Sequence, residues 1–147
     1  MRRHLAVLVL PLLLAGCGIW GMEGGPGGAG GLTPTPSATV PAATASVGAD
    51  GVQRVDIRVG DDLRFTPAQV QATVGTIEFV FHNDGLTPHD VRIAAGAAAA
   101  PALGTSGNIN GGETVTVRVT IDRPGTYPFP CVYHSTSGMQ GTLEIRS

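Results

Sequence analysis

Residues 124–145 read PGTYPFPCVYHSTSGMQGTLEI, and two patterns overlap in them. At the end, Leu143 and Ile145 alternate with Thr142 and Glu144, the two-residue period of a strand buried on one face. In the middle, Cys131, His134 and Met139 stand in a Cys-x2-His-x4-Met spacing on the stretch that leads into that strand. The alternation recurs upstream. Val55, Ile57 and Val59 form one set, Ile77, Phe79 and Phe81 a second, and Val115, Val117, Val119 and Ile121 a third. His89, Val91 and Ile93 share one face of a further short strand. Turns are marked by Gly60-Asp61-Asp62, Gly75, Asn83-Asp84-Gly85, Gly111-Gly112 and Pro124-Gly125. No segment has a convincing helical period; the Ala-rich residues 94–102 allow one short helical turn, limited by Gly96 and Pro101. Seven or eight short strands over residues 51–147 predict an all-β fold, a β-sandwich.

The ligand-type residues in this frame point to a metal. His89, in Leu86-Thr87-Pro88-His89-Asp90-Val91, joins Cys131, His134 and Met139. Two imidazoles, one thiolate and a thioether make the trigonal set with a weak axial ligand that suits blue copper, and soft sulfur donors select copper over hard cations. A rigid sandwich holds such ligands in nearly one arrangement for both oxidation states, which lowers the barrier to electron transfer. Each residue also has a plainer reading. Cys131 alone is a small buried hydrophobe, Met139 is core filler, and His82 is a surface histidine with a second weak metal site as its alternative. Cys131 and His134 as a hydrolase pair would need an orienting group and an oxyanion hole, and neither is evident.

In these residues the sequence resembles the cupredoxins, most closely their plastocyanin and pseudoazurin branch. The resemblance spans residues 52–147 and is strongest over 124–145, with PGTY, Cys, His, Met and Gly in the family's places. It implies a Greek-key β-sandwich holding one type 1 copper ion, Cu(I)/Cu(II), and carrying single electrons between larger redox proteins. By the same likeness His89, Cys131 and His134 are the strong metal ligands and Met139 the axial one. His134 would expose its outer ring edge through an apolar surface, to which Leu86 and Pro88 would contribute. Three positions depart from the family. Asp90 stands where Asn is common, and its charge would favour Cu(II) and lower the potential. Tyr133 stands where plastocyanins carry Pro, so an extra N–H is expected to reach the Cys131 sulfur and raise the potential. Pro130 stands where an aromatic residue is common, which removes one electron route.

Composition narrows the rest. A hydrophobic share of 42% in 147 residues excludes full-length disorder, and a net charge of −2 with a pI near 6.0 gives no basic surface for nucleic acid. Two Cys exclude a disulfide scaffold or a multi-thiolate zinc site. A binuclear copper centre needs a second Cys in the loop, and multicopper oxidases need more His and more domains, so the expectation is an electron carrier and not an enzyme.

At the start, Met1-Arg2-Arg3-His4 precedes an apolar run over residues 5–14. As a helix this run spans about 15 Å, against a hydrocarbon core of about 30 Å, so it reads as the core of a secretory signal. Leu14-Ala15-Gly16-Cys17 resembles the bacterial lipobox, which makes residues 1–16 a lipoprotein signal peptide and Cys17 the lipidated N-terminus. The residues around Arg2-Arg3 do not support twin-arginine export. Residues 17–50, rich in Gly, Pro, Ala, Thr and Ser, read as a flexible tether, with Trp20 placed for a membrane interface. The cupredoxin-like domain is expected over 51–147. A monomer on the outer face of the cell membrane or in the periplasm follows, anchored by lipid and working with a cytochrome, an oxidase or a reductase. The alternatives are a copper-binding or copper-delivery lipoprotein and a metal-free immunoglobulin-like adhesion domain.

Overall fold

The computed structural model describes residues 42–97 and 100–147. Where apolar residues alternate, strands form. In Gln53–Val59 the side chains of Val55, Ile57 and Val59 are buried, while Asp56 and Arg58 face out. The described strands are β1 (Ala43–Thr44), β2 (Ser46–Val47), β3 (Gln53–Val59), β4 (Gln69–Thr73), β5 (Gly75–Asn83), β6 (Arg92–Ala94), β7 (Ala102–Thr105), β8 (Thr114–Ile121), β9 (Gly125–Pro130) and β10 (Gln140–Arg146). A single 3-10 turn, Ser135–Ser137, is the one helical element among the described residues. The strands make two four-stranded sheets, in the orders β1-β4-β10-β9 and β2-β3-β5-β8, and β6 and β7 form a small hairpin. Neighbours β3 and β5 are parallel, as are β4 and β10. A parallel pair needs a crossover, and here the chain leaves β3 for β4 in the other sheet before returning as β5. This is the expected β-sandwich, with more strands than expected because β1 and β2 hold only two residues each. Within the Ala-rich stretch Ala100 N–H donates to Ala97 O at 2.8 Å, between the strands of the hairpin.

Four phenylalanines, all that the chain has, hold the sheets together beneath one end. Phe129 lies edge-on to Phe65, with ring centroids 5.3 Å apart, and 5.9 Å from Phe79; Phe81 meets both Phe65 and Phe79. Edge-to-face rings at these separations add to the large apolar area each buries. Phe129 stands two residues before Cys131, so the cluster fixes the end of β9 from which the ligand loop departs. Gln53 ties the sheets from within: its Oε1 accepts from Thr73 N–H and its Nε2 donates to Thr73 O, both at 2.8 Å.

The domain begins earlier than residue 51. Thr44 and Ala43 pair with β4, Ser46 and Val47 pair with β3, and Ala45 is buried between them, donating its N–H to Gln71 O at 2.9 Å. Residues 42–50, expected as the end of the tether, are thus part of the sandwich. Their mostly small side chains, Ala, Thr, Ser and Gly, hide this, because an edge strand is recruited by its backbone groups. The signal peptide over residues 1–16, Cys17 and the tether as far as residue 41, Trp20 included, lie outside the described residues. Among the described residues no helix is long and apolar enough to cross a membrane. His82 lies on the outer face of β5, between Asp56 Oδ1 at 2.9 Å and Thr114 Oγ1 at 3.1 Å, the surface position read from the sequence.

Candidate metal centre

Three connections meet at one end of the sandwich: β3–β4 with Gly60, β5–β6 with His89 and Asp90, and β9–β10 with Cys131, His134 and Met139. Ligand atoms of His89, Cys131 and His134 all lie within 4.8 Å of one another. The Cys131 Sγ is 3.5 Å from His134 Nδ1 and 3.9 Å from His89 Nδ1, and the two imidazoles stand 5.1 Å apart at 65°. His89, Cys131 and Met139 are fully buried, while His134 is half-buried.

Each candidate ligand is held for a reason. His89 exchanges both backbone hydrogen bonds with Ile109, at 3.1 and 2.8 Å, which fixes its backbone. Its Nε2 lies 3.0 Å from Gly60 O. A carbonyl only accepts, so the ring proton resides on Nε2 and the Nδ1 lone pair faces the thiol; an outer partner of this kind sets the tautomer of a metal-binding histidine. Burial first, then the neighbouring His134, lowers the His89 pKa, which favours the neutral ring. Burial pushes the Cys131 thiol up, so a metal bound there displaces a proton from sulfur.

Met139 is brought back by one tight turn. Ser137 N–H reaches His134 O and Gly138 N–H reaches Ser135 O, both at 3.0 Å; Gly138 then takes φ of 83°, open to glycine at little cost. Met139 N–H donates to His134 O at 3.2 Å and Cys131 N–H to Met139 O at 3.1 Å, closing the loop on itself. The four-residue spacing between His134 and Met139 is this turn.

Asp90 braces the loop from across the site. Its Oδ1 accepts from Val132 N–H at 2.7 Å and from Tyr133 N–H at a longer 3.4 Å, and lies 3.4 Å from Cys131 Sγ. The Tyr133 N–H expected at the sulfur is therefore directed to the Asp90 carboxylate. An added backbone N–H at a position 133 that is not proline finds the nearest charged acceptor, since a hydrogen bond to an ionised oxygen is the stronger one.

Three supporting residues were read from the sequence only as turn markers. Gly60 supplies the carbonyl for His89. Asp61 Oδ1 accepts from Leu86 N–H at 2.9 Å and Thr87 N–H at 2.8 Å, and its bonds to Thr87 and Leu86 hold its carboxyl below the usual range. Buried Asn83 donates to Thr87 O at 2.8 Å and Ile109 O at 2.9 Å, and accepts from Gly85 N–H at 3.0 Å. Gly85 has no room for a side chain: a Cβ would lie 2.7 Å from Asp61 N. The Asn-x-Gly spacing is the signal, since an Asn oxygen bonding the N–H two residues on is a recognised turn.

A family model described as a cupredoxin-like domain matches residues 36–145. The chain belongs to the cupredoxin family. Its match begins before β1, in agreement with the early start of the sheet. Among curated cupredoxins, plastocyanin of Prochlorothrix hollandica is 34% identical over 98 residues, covering 62% of this chain and 72% of that protein. The minor plastocyanin isoform of Arabidopsis thaliana is 29% identical over 115 residues, covering 73% and 67%. Among solved structures, reduced auracyanin of Roseiflexus castenholzii superimposes with a TM-score of 0.60 at 22% identity, covering 70% of this chain and 99% of that one. Auracyanin A of Chloroflexus aurantiacus, described as a "blue" copper protein, gives 0.59 at 24% identity, covering 65% and 100%. At these identities the structures speak for a shared sandwich fold.

Proposed function

We propose that this cupredoxin is a one-electron carrier holding a single copper ion at His89, Cys131 and His134, with Met139 as the weak axial donor. The observation that carries this is the thiol set among two imidazole Nδ1 atoms, one of them freed for a metal by the Nε2–Gly60 bond. The donors fit: two borderline nitrogens and soft sulfur, buried except at His134, suit copper in both oxidation states. Bound there, copper supplies a one-electron couple. The chain's own part is to keep its donors still. His89 is locked to Ile109, the Cys131–Met139 loop is closed by its own backbone bonds, and Asp90 ties that loop to the His89 segment. Little rearrangement between states means fast electron exchange. The Asp90 carboxylate, 3.4 Å from the sulfur, favours the oxidised form and a lower potential, an effect reduced by the Val132 and Tyr133 N–H groups that donate to it.

His134 is the electron port, half-buried where the other ligands are fully enclosed. On the loops that carry the ligands, Leu86 is 87% exposed, Val132 and Tyr133 are each 53% exposed, and Pro88 is exposed. Such an apolar surface suits brief docking of a cytochrome, oxidase or reductase. Lipidated Cys17 and the segment after it would keep a monomeric domain at the outer face of a membrane, as a carrier and not an enzyme.

Voltammetry of the copper-loaded protein in the presence of a Cu(I) chelator tests this. The expected result is a reversible one-electron wave that persists over repeated cycles. Loss of copper to the chelator on the first reduction would contradict it and favour the delivery reading.

A further inference from the structure

Tyr133 makes contacts that the copper-ligand pattern does not require. It sits between two ligands in sequence, at the position where the resembling plastocyanins carry a proline. Its phenol donates a hydrogen bond to Asn108 Oδ1, its N–H points to Asp90 Oδ1 at 3.4 Å, and its ring stands edge-on to the His134 imidazole, 6.4 Å away at 84°. Asn108 is well anchored despite its exposure. The next residue, Ile109, is buried, pairs both ways with His89 and receives the Asn83 amide.

We propose that Tyr133 is a positioning residue: with Asn108 it forms a latch that ties the His134 loop to the segment at Ile109 that pairs with His89. A proline at this position stiffens the loop by fixing its own φ. Tyrosine leaves φ free, and here the side-chain latch supplies the constraint from outside the loop. Because the latch closes onto the segment paired with His89, it adds a second tie, beside Asp90, between the two imidazole-bearing segments and not merely within the local backbone. The inference rests on the copper reading only for its second measurement below.

The test uses the full chain carrying Tyr133→Phe, Asn108→Ala, both together, or Asn108→Asp. The first measurement is amide hydrogen exchange at Val132, Tyr133 and Met139 in the metal-free protein. Each of the first two variants is expected to speed exchange about three- to tenfold, the size of one net hydrogen bond. The double variant is expected to go no further than either single one, since both remove the same bond. Asn108→Asp still accepts from the phenol and is expected to match the parent. The second measurement is the rate of copper loss to a Cu(I) chelator, which is expected to follow the same order. Unchanged exchange in both single variants, or effects that multiply in the double one, would overturn the latch. A chain that takes up no copper would sink the copper reading while the exchange data still decided the latch.

Discussion

Replacing Gly141 by alanine is expected to destabilise the domain by about 3 kcal/mol or more, beyond the usual range for an overpacked core. Gly141 pairs with Phe129 across β9 and β10, and a Cβ there would lie 1.9 Å from Phe129 Cε2 and 2.2 Å from Cζ. The ring cannot swing aside, because Phe65 and Phe79 flank it and it is fully buried. The strain must then reach the backbone of β9 or β10, between which the ligand loop hangs. For a domain of this size the melting temperature of the metal-free protein should fall by roughly 12 °C or more. Adding Phe129→Leu should restore part of the loss by making room. A melt within about 3 °C of the parent would show that the sheet absorbs the methyl group and that the aromatic cluster is looser than described.

The second large effect is expected at Asn83. Its side chain satisfies two carbonyls and one N–H beneath the His89 segment, and it is 2% exposed. Asn83→Ala strands those groups, at a cost of about 2–4 kcal/mol. Ile109, one of the two acceptors, is also the residue that clamps His89, so copper affinity should fall about tenfold or more, as for other outer-shell partners of metal ligands. Asn83→Asp separates bonding from packing. The shape is retained, but a carboxylate offers the Thr87 and Ile109 carbonyls no donor, so this variant should be nearly as damaging. If it melts and binds copper like the parent, the hydrogen bonds are not what hold the segment.

These two positions also mark the border of what the sequence made legible. Strands β3, β5, β8 and β10 could be read because apolar residues recur at every second position over most of their inward faces, with buried Gln53 and Asn83 only at the ends of β3 and β5. The candidate ligand loop stood out because Cys, His and Met at that spacing have few other uses together, and the fold brings Cys131 and His134 within 4.8 Å of His89. β7 could not: Leu103 is 39% exposed while Gly104 faces inward, where a Cβ would meet Val119 Cγ1 at 2.8 Å. Close packing of the hairpin on β8 inverts the ordinary pattern there. β1 and β2 are joined to the sheets by backbone pairing, which leaves little trace in side-chain composition. Asn83 and Asp61 carry turn chemistry locally, and their further role arises from partners that only the fold brings near. The sequence puts the Tyr133 N–H near the site, but its acceptor is Asp90 and not the sulfur, because the pull of the carboxylate depends on distances that spacing does not give.

The most direct test of the copper site is the visible spectrum of the metal-free protein as Cu(II) is added. The expected result is an intense blue thiolate-to-copper band that saturates at one copper per chain and is absent from Cys131→Ser. A colourless product, or a band that survives the loss of the Cys131 thiol, would contradict the assignment of this centre.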